Sequence, residues 1–396
     1  MTHTTRMKEK LPLLPLLSLS VAAFSTNLTE LLPAGVMSQM GADLGESPAR
    51  IGLMVSAYAI ATSIAALPII TLTRSVPRKS LLQMVLFGFA IVNVVTAISS
   101  NFTLTIIARI FGGVLAGVMW PLMAGYAARL VTKENIGRAV AIALGGSTLS
   151  LALGLPLGSL LGSLLGWRAS FGLLSLIALL LTVWIAWKMP SFPGERADER
   201  IPLAKVFVIS GIPLIVMANF TTMLAHYMLY TYIEPLIETL HIYGGTSVAL
   251  LIFGIGAVAG VLLTGKFVDR YLRLSALTSI VLTILVMLII SLFGTIPGVI
   301  HIALFLWGTA FGCSPVFQTA INKVADKARD VASSILTTMY NAGIFGGALL
   351  GGIILDEANI LTLPWIVAIL MGVSFVLIYS GHRTAFPRIR RDKQGL

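Results

Sequence analysis

Hydrophobic segments of about twenty residues or more alternate with short charged turns along almost the whole chain. An α-helix rises about 1.5 Å per residue, so about 20 mostly apolar residues cross the hydrocarbon core of a bilayer. The pattern predicts an all-α membrane protein with twelve spans, at approximately 11–35, 51–73, 80–99, 102–130, 139–165, 168–189, 205–238, 246–265, 274–294, 299–321, 331–355 and 360–380.

Composition and charge support the same class. Hydrophobic residues make up 57% of the chain, charged residues 11%, and the mean hydropathy is +0.94, whereas soluble domains have roughly 25% charged residues. All Lys and Arg except Arg50, Arg109 and Arg168 lie at the N-terminus, in alternate turns or in the C-terminal tail. This asymmetry predicts that both termini are cytoplasmic. The net charge of +11 therefore indicates contact with the membrane surface rather than with nucleic acid.

The longest polar interruption, PSFPGERADERIP at 190–202, follows the sixth predicted span. It divides the chain into an N-terminal six-helix bundle (1–189), a cytoplasmic linker (190–204) and a C-terminal six-helix bundle with a basic tail (205–396). The halves also share a glycine pattern at a constant offset in sequence, with Gly154, Gly158 and Gly162 matching Gly343, Gly347 and Gly351. Duplicated halves predict a pseudo-symmetric transporter with its site between them, near mid-membrane.

The fifth predicted helix has a small residue at every fourth position, from Gly146 through Ser150 to Gly166. This spacing lines one helical face and lets another backbone approach closely. The face fits either static packing or a sliding surface between the halves, with Pro156 supplying a bend.

An acid lies inside the first predicted span. An ionisable group within a membrane costs at least roughly 2.5–3.5 kcal/mol and therefore indicates a proton or ion pathway. Glu30 and Arg109, of the first and fourth spans, are predicted to lie at similar depth, about 9–10 Å below the outer face. If the two helices are neighbours, the residues can meet. The pair then either exchanges a proton as access alternates or forms a permanent salt bridge that locks the helices.

Polar and aromatic residues also form helical stripes. In the seventh helix, His226 and Glu234 lie on one face with Asn219 and Tyr230, a face that should line a cavity. His226 either relays protons or is a hydrogen-bonded packing residue, and Glu234 either titrates or is an interfacial acid. The candidate proton-coupling residues are Glu30, Arg109, His226 and Glu234. The candidate substrate-binding residues are Asn27, Tyr58, Trp120, Asn219, Tyr227, Tyr230, Gln318, Tyr340 and Asn341.

Several motifs resemble the SotB-type bacterial sugar-efflux permeases of the major facilitator superfamily, among its twelve-helix drug:proton antiporters. They are TELLPAG at 29–35, AHYMLYTYIEP at 225–235 and LGLPLGSLLGSLLGWR at 153–168, together with Arg109. The loop after the second helix, ITLTRSVPRK, departs from the family pattern but keeps Arg78 and Lys79. The resemblance implies that Glu30 is the proton-coupling carboxylate. It also implies conformational roles for Arg78, Lys79, Gly154, Pro156, Gly158, Gly265, Asp269 and Arg270.

Together these observations predict proton-coupled efflux of small molecules, sugars in the first place, across the bacterial inner membrane by alternating access. The same antiport mechanism acting on amphipathic drugs or purine nucleosides is the alternative, and a non-transporting membrane sensor or scaffold is the rival of a different class. We expect no enzyme activity, no metal and no cofactor other than the coupling proton. The expected partners are the small-molecule substrate and the lipid bilayer, and the expected state is a monomer.

Overall fold

The computed structural model describes residues 11–73, 75–132, 135–194, 209–296, 298–325 and 329–386. This part of the chain is almost entirely helical. Its α-helices are α1 (Leu13–Gly35), α2 (Met37–Leu44), α3 (Pro48–Leu72), α4 (Arg78–Ile98), α5 (Phe102–Arg129), α6 (Ile136–Leu149), α7 (Leu155–Leu165), α8 (Trp167–Lys188), α9 (Ile212–Tyr230), α10 (Ile233–Thr239), α11 (Gly245–Phe293), α12 (Val299–Gly312), α13 (Pro315–Ala325), α14 (Arg329–Glu357) and α15 (Leu363–Ser380).

Eleven helical stretches of the described chain are long and apolar enough to cross a membrane, and they match every predicted span but the first. Helix α1 has 23 residues, a length of about 34 Å, but its serines, threonines and Glu30 make it more polar. Most of its residues, including Ser18, Thr26, Thr29 and Glu30, are buried against other helices. Because these polar groups pack against protein and not against lipid, α1 is long enough and sufficiently covered to cross the membrane. It is the first of the twelve spans predicted from the sequence.

Several spans are not single regular helices. The predicted span 205–238 ends at Tyr230 and resumes as α10, and the span 299–321 breaks between α12 and α13, just before Pro315. A π-helical turn, Ser150–Gly154, joins α6 to α7 immediately before Pro156. Proline has no N–H to donate, so the helical ladder must change at such positions. Helix α11 contains two spans that meet at Tyr271, whose backbone is non-helical.

The small-residue face of α6 and α7 packs on α1, within the N-terminal half. A Cβ added at Gly146 would lie 1.8 Å from the carbonyl oxygen of Ser20, and one at Gly158 would lie 2.8 Å from the Leu32 side chain. Other positions touch the opposite half: Ala152 of the π-helical turn meets Gly254 of α11, and the Ser159 hydroxyl of α7 accepts a hydrogen bond from the Ser247 hydroxyl of α11. The stripe therefore provides close packing inside one half.

We call the end of the bundle that carries α2 and α10 the outer end, because the charge distribution predicts that it faces away from the cytoplasm. Here the halves are joined by hydrogen bonds. The Ser38 N–H donates to Glu234 Oε2 at 2.9 Å, and the Ser38 hydroxyl donates to Glu238 Oε1 at 2.8 Å. The Tyr232 ring also lies against Gly52, where an added Cβ would collide with it. The outer end is thus closed.

At the opposite, inner end, Lys79 and Arg273 donate to carbonyl oxygens of their own half, and Tyr126 donates to the carbonyl oxygen of Pro190, at the start of the predicted linker. Residues 195–208, which include the second part of the predicted linker (190–204), lie outside the described chain. Arg74 and the basic tail from residue 387 also lie outside it. The boundaries assigned to the two bundles therefore stay predictions.

Candidate functional site

Glu30 of α1 and Arg109 of α5 lie together in the interior of the N-terminal half. Glu30 is 6% exposed and Arg109 is fully buried. Arg109 Nη2 donates to the main-chain carbonyl oxygens of Thr29, at 2.6 Å, and of Glu30, at 3.1 Å. The helices are thus neighbours, as the depth argument requires, but the guanidinium binds the backbone of α1.

The Glu30 carboxylate has no fixed partner for one of its oxygens. Glu30 Oε1 is buried and makes no hydrogen bond, and the same holds for Arg109 Nε and Nη1. No ion pair joins the two side chains within the part of the chain that the structure describes. A buried carboxylate without a bonded partner is costly when charged, so protonation is a direct way to remove that cost.

Aromatic rings and close helix packing hold Arg109 in place. Its guanidinium carbon lies 4.7 Å from the centroid of the Tyr58 ring and 5.9 Å from that of Phe171, distances at which a cation is attracted to a ring face. Helix α5 reaches Tyr58 because Gly112 and Gly113 carry no side chain. A Cβ at Gly113 would lie 2.1 Å from the Tyr58 carbonyl oxygen. The positive charge of Arg109 is stabilised in the protein interior by these aromatic rings and by the carbonyl oxygens of α1.

Two tyrosines of the C-terminal half lie next to each other. The hydroxyl groups of Tyr227, on α9, and Tyr340, on α14, lie 3.5 Å apart. Their rings pack edge to face, with centroids 6.4 Å apart.

The C-terminal half holds an aromatic cluster, which we define as His226, Tyr227, Tyr230, Phe253, Trp307 and Phe311. The His226 ring stacks on Phe311, with centroids 4.0 Å apart and planes 15° apart, and on Tyr230, at 5.1 Å and 22°. Trp307 lies 5.3 Å from the His226 ring. Helical spacing anticipates the contact face of α9. It gives no sign of Phe253, which enters from α11.

Three polar atoms of the aromatic cluster are buried without a hydrogen-bond partner: His226 Nε2, Tyr230 Oη and Trp307 Nε1. Leaving such groups unpaired costs about 1–3 kcal/mol each. A cavity of about 20 Å³ lies next to His226 and Phe311, with Ser279 and Thr283 in its wall, which is room for about one water molecule. The cluster thus combines aromatic rings that pack on one another with polar atoms that have no protein partner.

The predicted amide residues are bound to protein carbonyls in this conformation. Asn27 Nδ2 donates to Ser147 O at 3.3 Å, and Asn219 Nδ2 donates to Leu336 O at 3.3 Å. Asn341 Nδ2 donates at 2.9 Å to the carbonyl oxygen one turn earlier in its own helix. Asn27 and Asn219 thus connect helices and Asn341 bonds within its own helix, so one N–H of each amide is already used.

Two further predicted binding residues lie away from the aromatic cluster. Gln318, on α13, donates to Asn322 Oδ1 at 3.1 Å and to the Ser333 hydroxyl at 2.7 Å. Trp120 is half-buried on α5, next to Pro121. The structure therefore brings Tyr58, Tyr227, Tyr230 and Tyr340 into the central groups, but not these two.

Glu234 belongs to the outer contact. It is 6% exposed, and its Oε2 accepts the Ser38 N–H at the start of α2. A carboxylate at a helix N-terminus accepts hydrogen bonds from free N–H groups and is attracted to the positive end of the helix dipole. Because α2 and α10 belong to opposite halves, Glu234 caps a helix across the interface. Periodicity along one helix does not reveal a contact between residues 38 and 234.

The predicted conformational residues have mixed surroundings. The Arg78 N–H donates to Phe192 O at 2.9 Å, and Lys79 Nζ donates to Ala186 O at 2.8 Å, so this loop is held to α8 and to the start of the predicted linker. The Arg270 guanidinium carbon lies 5.4 Å from the Tyr271 ring centroid, and Gly265 faces open space. The side chain of Asp269 lies outside what the structure describes.

Comparisons with known proteins agree with this architecture. Residues 17–329 match the family model described as Major Facilitator Superfamily. A protein of Helicobacter pylori strain P12 called "Probable sugar efflux transporter" is 30% identical over 367 residues, covering 91% of this chain and 93% of that protein. A protein of the same name from Mannheimia succiniciproducens is 30% identical over 367 residues, covering 90% and 91%.

Two solved structures share the fold. The human organic anion transporter MFSD10 (TETRAN) superposes with a TM-score of 0.69 at 16% identity, over 92% of this chain and 97% of that one. A bacterial homolog of the human lysosomal transporter Spinster, in an inward-facing and unoccupied conformation, gives 0.72 at 15% identity, over 95% and 98%. The chain belongs to the Major Facilitator Superfamily and is a multi-pass membrane transporter.

Proposed function

We propose that this transporter exports small sugars from the bacterial cytoplasm in exchange for protons, by alternating access. It works as a monomer in the inner membrane, with both termini in the cytoplasm. The names of the relatives support sugar as the substrate class and export as the direction. The observation that carries proton coupling is the Glu30 carboxyl group, which is buried beside Arg109 and has an oxygen without a hydrogen-bond partner.

Glu30 is suited to carry the proton because its charge is not fixed by a salt bridge. Arg109 is bound to the backbone of α1 and stays in place whether Glu30 is charged or neutral. When Glu30 is charged, Arg109 stabilises it through space. When Glu30 is neutral, the cost of burying a carboxylate disappears. The two states are thereby close enough in free energy to exchange a proton as access changes.

The aromatic cluster supplies the substrate side of the cycle. Sugars present apolar ring faces and a rim of hydroxyl groups, which suit flat aromatic surfaces flanked by a few polar atoms. His226 Nε2, Tyr230 Oη and Trp307 Nε1 are such atoms, and they have no protein partner. Tyr227 belongs to this cluster, and its hydroxyl group lies 3.5 Å from that of Tyr340. Under this proposal, substrate bound at the cluster and the proton on Glu30 influence each other.

A purine nucleoside or an amphipathic drug is the second candidate substrate, because the same rings also accept planar molecules. Competition by a panel of sugars, nucleosides and cationic dyes separates these classes. Under our proposal, the sugars displace a labelled sugar. Displacement by nucleosides or dyes alone would assign the second class.

The coupling is tested with purified protein in proteoliposomes, by measuring labelled sugar accumulation with and without an imposed pH gradient. Wild-type protein should accumulate sugar against its gradient only when the pH gradient is present. Glu30→Gln should abolish this accumulation, because it removes the titrating group, but should keep sugar exchange at equal concentrations. Glu357→Gln, which removes an exposed acid at the end of α14, is the matched control and should behave as wild type. Normal gradient-driven accumulation by Glu30→Gln would refute the assignment.

A further inference from the structure

A cleft of about 560 Å³ lies beside the outer contact, away from Glu30 and the aromatic cluster. Its walls come from both halves. One wall is formed by the π-helical turn and α7, and the other by the residues that lead into α11. Leu153, Leu157 and Leu160 line it and are 43–59% exposed on the surface of the bundle. In a membrane protein, a wall of exposed leucines faces the lipid, so the cleft opens sideways into the bilayer.

The cleft contains one acid and several neutral polar side chains. Its lining includes the Glu234 carboxylate and Gln39, and Gln39 Oε1 is buried without a hydrogen-bond partner. The hydroxyls of Ser159 and Ser247, also in the lining, bond to each other at 3.3 Å. Among the described lining residues there is no Lys, Arg or His. An apolar chamber with an acid and an unused carbonyl oxygen favours a positively charged guest.

We propose that this cleft is a second ligand site that binds a lipophilic monocation, with Glu234 as its counter-ion and the leucine wall around its apolar body. The volume lies within the range of about 300–1,000 Å³ that is typical of small-molecule pockets. A weakly hydrated cation loses little on entering an apolar chamber and gains the attraction of a partly buried carboxylate. A neutral sugar gains neither, and an anionic head group is repelled by Glu234.

Occupancy of this site is linked to the closed outer end. Gln39 and α7 belong to one half, whereas Glu234 and Val248 belong to the other. Separation of the halves would take the cleft apart. A ligand that binds only the closed form stabilises it by mass action, so the cation should inhibit transport without competing with the sugar.

The test is saturable binding of tritiated tetraphenylphosphonium to the full-length protein in lipid nanodiscs, at mildly alkaline pH. Neutral triphenylphosphine oxide and anionic tetraphenylborate should compete poorly. Glu234→Gln should weaken binding by at least about tenfold, because it removes the counter-ion. Ser163→Phe, at an exposed residue of the lining, should weaken binding similarly by filling the cleft while Glu234 is kept.

Two controls separate this site from the proposed sugar site. Glu357→Gln removes an exposed acid elsewhere and should bind the cation as wild type does, and added sugar should not displace the cation competitively. The proposal is overturned if wild-type protein shows no saturable binding, or if both Glu234→Gln and Ser163→Phe bind normally. Competitive displacement by sugar would place the cation in the central site instead.

Discussion

The two halves of the transporter share a packing scheme but differ in chemistry. In the N-terminal half, Gly154 and Gly158 let the π-helical turn and α7 pack closely on α1, and in the C-terminal half Gly343 and Gly347 let α14 pack closely on α9. The offset of 189 residues between the glycine series thus corresponds to equivalent helix contacts. The two halves thus have glycine at matching positions of their close helix–helix contacts.

The groups held by these equivalent helices are different. Helix α1 carries Glu30, which lies beside the buried cation Arg109. Helix α9 carries His226, which lies among aromatic rings and has no described acid next to it. The comparison teaches that the scaffold is symmetric and the site is not. We infer that the N-terminal half handles the proton and the C-terminal half handles the substrate.

The largest expected effect comes from breaking the shared packing. Gly146→Ala places a Cβ 1.8 Å from a carbonyl oxygen of α1, so the helices must separate, at a cost of about 1–3 kcal/mol. Gly347→Ala, where the Cβ would lie 2.4 Å from Leu224 O, should cost a similar amount. Thermal unfolding of the purified proteins measures both effects.

Gly145→Ala is the matched control, because a Cβ there meets nothing within 4 Å. Alanine is the better helix former by about 1 kcal/mol, so this variant should unfold at the same temperature as wild type or at a higher one. Equal melting temperatures for Gly145→Ala and Gly146→Ala would show that the close contact does not stabilise the half.

A smaller effect sharpens the chemical difference between the halves. His226→Phe keeps a flat ring between Phe311 and Tyr230 but removes Nε2. Loss of one hydrogen bond to substrate, about 0.5–1.5 kcal/mol, should lower sugar affinity by roughly two- to tenfold. The dependence of transport on the pH gradient should not change, because this account places the proton on Glu30. A His226→Phe variant that transports sugar equally well with and without the gradient would place the proton in the C-terminal half.

The regular parts of this structure follow from the sequence. Apolar length predicts the spans, and the position of Arg109 in the fourth span puts it at the depth of Glu30. The period of α9 brings His226 and Tyr230 to one face. Such features depend on spacing within one helix or on depth in the membrane, and both can be counted along the chain.

The remaining features depend on which helices contact each other in the fold. Residue spacing along the sequence does not reveal those contacts. Arg109 binds the Thr29 and Glu30 carbonyl oxygens because α5 approaches α1 at one particular height. Phe253 completes the aromatic cluster from a distant span, and Glu234 caps a helix of the opposite half. The polarity of α1 is likewise explained only by the helices that cover it.

Substrate-induced proton release is the most direct test of the central claim, that a buried Glu30 exchanges a proton with solution when sugar binds. Sugar is added to the purified transporter in weakly buffered solution near neutral pH, and the pH change is followed with an indicator dye. The account predicts release of about one proton per wild-type protein and none from Glu30→Gln at saturating sugar. Equal release from both proteins would contradict it.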